Sequence, residues 1–173
     1  MSIKKKNLKN AIREYLLDEG ILRKMIPDPD SKLDFGFMFS FPPGTKDENM
    51  NVFKIKNKNF ITISLLSKLS NQRIAALNSL KKEKIRLYFT KLRYFFLSKE
   101  VYFQIGMKNN RYEIKEQIFV EKDETISRNS FFKLIKKIFY CYYYSIILLD
   151  EFCSGEDIIA KENDSGFNFS LYT

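Results

Sequence analysis

LDFGFMFSFPPG, residues Leu33 to Gly44, decides the fold class. Leu33, Phe35, Phe37, Phe39 and Phe41 alternate with smaller or polar residues, and a period of two sends successive side chains to opposite faces of a strand. A row of phenylalanines on one face calls for an apolar layer above it, so the segment predicts a sheet packed under helices. The same row could act as a base-stacking platform, but no glycine-aromatic signature of an RNA-binding sheet accompanies it, and the covered face is the preferred reading. Pro42-Pro43-Gly44 ends the strand.

On the N-terminal side, Leu8, Ala11, Ile12, Tyr15 and Leu16 recur with helical spacing and Gly20 follows as a C-cap, which predicts a first helix over about 4–19. Ile21 to Ile26 reads as a short extended approach, ended by Pro27-Asp28-Pro29-Asp30. On the C-terminal side, 52–55 and 60–66 predict two more strands around a turn at Asn57-Lys58-Asn59, completing a three-strand meander. The period then lengthens. Ile74, Leu77, Leu80, Ile85, Tyr88, Phe89, Leu92, Phe95 and Phe96 predict a second helix over about 71–97, with a break near Asn78-Ser79, residues that favour caps over helix interiors. Val101 to Met107 and Tyr112, Ile114 and Ile118 form two strands about a turn at Lys108-Asn109-Asn110. Ser127 is placed to N-cap a third helix over about 128–152.

The 173 residues fit one α+β domain over 1–153, followed by a polar, acidic segment, 154–173, read either as a disordered tail or as an added edge strand through Phe167, Phe169 and Leu171. Within the third helix, Ile138 to Leu149 carries no charge, but twelve residues fall short of the ~18–20 needed to span a bilayer. Lys4-Lys5-Lys6 is not followed by an apolar run, so the start does not read as a signal peptide. Cys141 and Cys153 lie twelve residues apart on that helix, about 18 Å along its axis, too far to bridge. Free buried thiols point to a reducing, cytoplasmic setting.

Charge is unevenly placed. The net charge is +9, yet Ser67–Lys99 alone holds nine basic residues and one acid, while Asp150, Glu151, Glu156, Asp157, Glu162 and Asp164 face only Lys161 near the end of the chain. Lys81, Lys82, Lys84, Arg86, Lys91 and Arg93 form a basic face on the second helix. That face could bind nucleic acid by neutralising phosphates, or it could be the solvated side of an amphipathic helix, with the acidic segment folded back over it in the same chain or in a dimer partner.

Enzymatic templates find little support. The chain has no histidine, which removes Ser/His and Cys/His machinery and histidine metal sites, and its six glycines form no phosphate-binding loop. The best remaining case is a Mg²⁺ nuclease using Pro27-Asp28 with Glu113-Ile114-Lys115, where Glu113 and Lys115 share one strand face. ExK on an exposed strand is common by chance, and the two halves lie far apart in sequence. The carboxylate pairs Asp28/Asp30, Asp123/Glu124 and Asp150/Glu151 fall at loops and helix ends, where solvation accounts for them. No catalytic residue, metal site or cofactor is assigned.

The order helix, three strands, helix, two strands, helix resembles the type III secretion chaperone-like fold, which includes the YbjN-like group, and in detail an uncharacterised, largely archaeal family of that fold. The segments that carry the resemblance are IREYLLDEGIL (Ile12–Leu22), Asp28-Pro29, FPPG (Phe41–Gly44), LLSKLS (Leu65–Ser70) and the strand leading into Ser127. It implies an antiparallel sheet with helices packed on it and a non-enzymatic homodimer that binds another polypeptide, chaperone-like or adaptor, with Tyr88, Leu92, Phe95 and Phe96 at or near the dimer interface. Secretion chaperones are typically acidic, whereas this chain is basic on its second helix; nucleic-acid binding through that helix is the alternative.

Overall fold

A computed structural model describes residues 7–45, 49–106, 111–121 and 126–154. Helix α1, Leu8–Asp18, opens with Asn7 as N-cap, its side chain accepting from the Lys9 amide. The helix ends as Gly20 implied. At φ +66°, Gly20 adopts a conformation costly for residues with a Cβ, and its N–H donates to Leu17 O while Ile21 N–H donates to Leu16 O. This is a Schellman turn, and Ile21 and Leu16, which it brings together, are both buried. The predicted residues 4–6 of this helix and the turn at 108–110 lie outside the described residues.

Six strands follow: β1 Leu22–Met25, β2 Leu33–Ser40, β3 Asn49–Ile55, β4 Phe60–Lys68, β5 Tyr102–Gly106 and β6 Arg111–Phe119. All neighbours pair antiparallel in the order β1-β2-β3-β4-β6-β5. The extended approach before the Asp-Pro turn is thus a sixth, edge strand. Its side chains are largely exposed, which left it without the apolar alternation that marks the other strands. The turn at 57–59 is present, with Asn57 at φ +61°.

Directly opposed residues of antiparallel strands share a face, so the register defines the core layer. Phe39, Met50, Leu65, Ile114 and Phe103 form one cross-sheet row, and Phe37, Val52, Ile63 and Glu116 the next. Every apolar member except the half-buried Phe103 is buried, and Phe35 joins them. The Phe ladder is therefore core and not a stacking platform. On the other face the register places Phe60, Leu66, Phe119 and Tyr102, the last three more than half exposed.

The second predicted helix is two: α2, Asn71–Ser79, and α3, Lys82–Ser98, separated by extended Leu80 and Lys81. Ser70 caps α2 by accepting from the Arg73 amide, and Ser79 turns its hydroxyl back to Ala76 O at the break. Helix α4, Arg128–Ser154, starts at Ser127, whose hydroxyl accepts from the Ser130 amide. Across 138–149, residues Ile138, Cys141, Ser145, Leu148 and Leu149 are buried while Tyr140, Tyr143, Tyr144 and Ile147 are exposed. The uncharged segment is the core-facing stripe plus an aromatic outer stripe of one amphipathic helix. No helix among the described residues is long and apolar enough to cross a membrane.

Candidate functional site: the α3–α4 surface

Along α3 the buried residues Tyr88, Phe89, Leu92 and Phe96 face the sheet and α4. Three of them, Tyr88, Leu92 and Phe96, are among the four residues expected at or near a dimer interface. Tyr88, Leu92 and Phe96 are core residues within the single chain, and Phe95 is half-buried with its ring stacked 3.8 Å from that of Tyr144 on α4. The apolar side chains that α3 presents outward are Leu87, Tyr94 and Leu97. Sequence spacing identified α3 as amphipathic, but aromatic residues occur on both its sides, so the phase of the stripe was ambiguous.

The six cations singled out on this helix, Lys81, Lys82, Lys84, Arg86, Lys91 and Arg93, are all exposed. Lys82, Arg86 and Arg93 rim a shallow depression of ≈ 310 Å³ whose floor is formed by Ile85 and Phe89. Lys81 and Lys84 lie outside its rim. Lys91 turns the other way, its ammonium 5.4 Å from the centre of the Phe152 ring. The end of α4 supplies counter-charge here: Asp150 receives a two-pronged contact from the Arg73 guanidinium at 2.9 and 3.0 Å, which raises the Arg73 pKa, and Phe152 packs edge-on against Tyr88. Burial pushes the Glu151 carboxyl up and nearby Lys91 opposes the shift.

Below this surface lies a buried polar contact that sequence reasoning missed. The hydroxyls of Tyr112 on β6 and Ser145 on α4 are hydrogen-bonded to one another, and Ser145 also donates to Tyr142 O at 2.5 Å. Burial pushes the Tyr112 phenol up to about 12, with Ser145 and Ser67 pulling the other way. Glu116 is a second missed residue. Its alternation with Tyr112, Ile114 and Ile118 puts a carboxylate in the apolar phase of β6, and Lys137 of α4 meets it at 2.5 Å. That charge out of pattern was the available signal.

The nuclease constellation does not assemble. Glu113 and Lys115 do share a face and pair at 3.3 Å, but Asp28 is engaged by the amides of Lys32 and Leu33, where it closes the turn before β2. Strands β3 and β4 separate β2 from β6, about 14 Å at ordinary strand spacing, beyond the span of one metal ion. Among the described residues no group of three acidic or cysteine side chains could hold a metal. The cysteines are free, Cys141 buried and Cys153 half-buried. Burial pushes the Cys141 thiol up to about 11, so iodoacetamide at pH 8 should modify Cys153 at least about tenfold faster in the folded protein. Equal rates under native conditions would contradict this placement.

The model of the family described as Uncharacterized conserved protein (DUF2299) matches residues 8–149. The chain belongs to that family. No curated protein matches it. Among solved structures, this DUF2299 chain is similar to an uncharacterized protein from Methanothermobacter thermautotrophicus, with a TM-score of 0.73 at 22% identity, covering 84% of this chain and 98% of that one. It is also similar to a chain of the ExsC-ExsE complex, with a TM-score of 0.51 at 8% identity over 86% and 97% of the two chains. YbjN from E. coli gives 0.43 at 12% identity over 87% and 94%. The fold is the secretion chaperone-like arrangement that the resemblance implied.

Proposed function

We propose that this protein is a non-enzymatic polypeptide-binding protein, chaperone-like or adaptor, that works as a homodimer in the cytoplasm. The observation that carries the reading is the outward apolar surface of the two longest helices: Leu87, Tyr94 and Leu97 on α3, and Tyr140, Tyr143, Tyr144 and Ile147 on α4. Large side chains exposed on adjoining helices suit a partner that covers them. The fold likeness to a chain crystallised in a two-protein complex supports the same reading.

In this reading α3 meets its copy through Leu87, Tyr94 and Leu97, which also brings Lys91 and Arg93 of the two copies towards each other. Light scattering should therefore show a dimer at micromolar concentration that tightens with added salt, because screening weakens like-charge repulsion. Leu97→Glu should shift it to monomer. A strict monomer at all salt concentrations would remove the dimer from the reading.

Nucleic-acid binding is the second reading, favoured by the exposure of all six cations on and beside α3. It predicts the opposite salt dependence: log affinity falling linearly with log salt and weakened by Lys82→Glu with Arg86→Glu. Absence of any DNA or RNA shift at ~50 mM salt would end it.

A further inference from the structure

We propose that the cavity where the end of α1, the turn after β2 and the first turns of α4 meet binds a small aromatic carboxylate. The ligand's ring would rest on Ile21, Phe41 and Phe132, and its carboxylate would meet Lys136 and Asn129. This site shares no residue with the outward α3–α4 surface, and the inference stands independently of the polypeptide-binding reading.

The cavity holds ≈ 380 Å³, at the lower end of the ~300–1,000 Å³ of small-molecule sites, which suits one ring and a short acid chain. Its apolar walls are fixed by contacts within the chain. Ile21 is buried under the Schellman turn at Gly20, and the Phe41 ring lies edge-on to Phe139 at 5.4 Å. Phe132 contacts both the buried Phe131 ring at 5.4 Å and the Arg128 guanidinium, 5.8 Å from its centre. Arg128 is in turn held by Asp18 at 3.2 Å and Glu19 at 2.6 Å. Walls already ordered in this way lose little freedom when a ligand enters.

The polar groups of the lining divide into two kinds. Glu19 and Arg128 satisfy one another at one end, whereas among the described residues Asn129 and Lys136 have no side-chain hydrogen bond or ion pair. Asn129, Phe132 and Lys136 stand at i, i+3 and i+7 of α4, so one face of the helix offers the cavity an amide, a ring and an ammonium. An ammonium and an amide N–H are both donors, and a carboxylate is the acceptor that gains most from such a pair.

Charge and shape exclude the other simple ligands. A cationic ligand would have to break the contact between Glu19 and Arg128 to find a counter-charge. A phosphate would bring two charges towards Asp18 and Glu19 and make no use of the apolar walls. A carboxylate on an aromatic body carries one charge for the one lysine left over and covers Ile21, Phe41 and Phe132. An exposed ion pair is weak alone, so burial of the ring supplies the larger share of the binding and the carboxylate sets its orientation.

The test is titration of the full chain with 3-phenylpropionate and with its neutral isostere 3-phenylpropanamide, followed by calorimetry or ligand-observed NMR. The acid should bind saturably with a Kd below about 1 mM, an ordinary value for a ligand of about eleven non-hydrogen atoms, and the amide at least about tenfold more weakly. Lys136 is exposed, so Lys136→Met should fold normally; it should weaken the acid at least about fivefold and leave the amide unchanged. Lys82→Glu with Arg86→Glu, which alters the separate cationic depression on α3, should leave the affinity for the acid unchanged. No saturable binding of the acid up to about 10 mM, or equal binding of acid and amide, would overturn the proposal. Unchanged binding in Lys136→Met, or loss of binding in the α3 variant, would overturn it as well by placing the ligand elsewhere.

Discussion

Replacing Phe39 by Ala should destabilise the fold by about 3–5 kcal/mol, measured as a fall in the urea midpoint at constant m-value. Phe39 is fully buried in the third position of the phenylalanine row and lies opposite Met50, which in turn lies opposite Leu65. Truncation removes the ring's transfer energy and leaves a cavity that the two-layer packing of sheet and helices closes only in part. Phe119→Ala, on the outer face of β6 at 67% exposure, should cost under about 1 kcal/mol, since most of its surface already meets water and among the described residues its ring contact is to Phe60. Equal losses at the two positions would contradict the assignment of core and open faces.

Lys137→Ala should cost about 2–3 kcal/mol, a large effect for a residue on a helix flank. Glu116 points into the helical layer from the row of Phe37, Val52 and Ile63, and its side chain is only 10% exposed. Removing the ammonium at 2.5 Å leaves a carboxylate desolvated without a counter-charge, and that penalty, not the Coulomb energy of the pair, sets the magnitude. The estimate lies below that of a fully buried pair because the Lys137 side chain is 32% exposed and water reaches it. Glu116→Gln in the Lys137→Ala background should recover most of the loss, as the charge itself is the cost. A loss under about 0.5 kcal/mol in Lys137→Ala, or no recovery in the double variant, would overturn this account.

The elements that were legible in the sequence are those with a strong local signal. The Phe row gave its own strand and burial, Gly20 and Ser127 marked helix boundaries, and the gap at Asn78-Ser79 foreshadowed the division of α2 from α3, two residues further on. Strand β1 was only partly legible because Arg23, Lys24 and Met25 are exposed at the sheet edge and carry no alternation. The candidate site was legible in its charge: all six cations on and beside α3 are exposed, as an amphipathic helix requires. It was not legible in its apolar part. Tyr88, Leu92 and Phe96 satisfy the helical period equally well as core or as interface, and only the position of α4 and β5 against them makes them core.

By itself, the sequence determined the α+β class, the order of five of the six strands and of the helical segments around them, the covered face of the sheet and the separation of basic and acidic segments, because each follows from local periodicity and from residue chemistry along the chain. The tertiary structure alone decided which strands pair, with β6 inserted between β4 and the edge strand β5, and it alone placed Glu116 against Lys137, Tyr112 against Ser145, and Arg73 against Asp150. These pairings join residues distant in sequence. Their partners are set by how the sheet and α4 pack together, a property of the assembled layers that no single segment encodes.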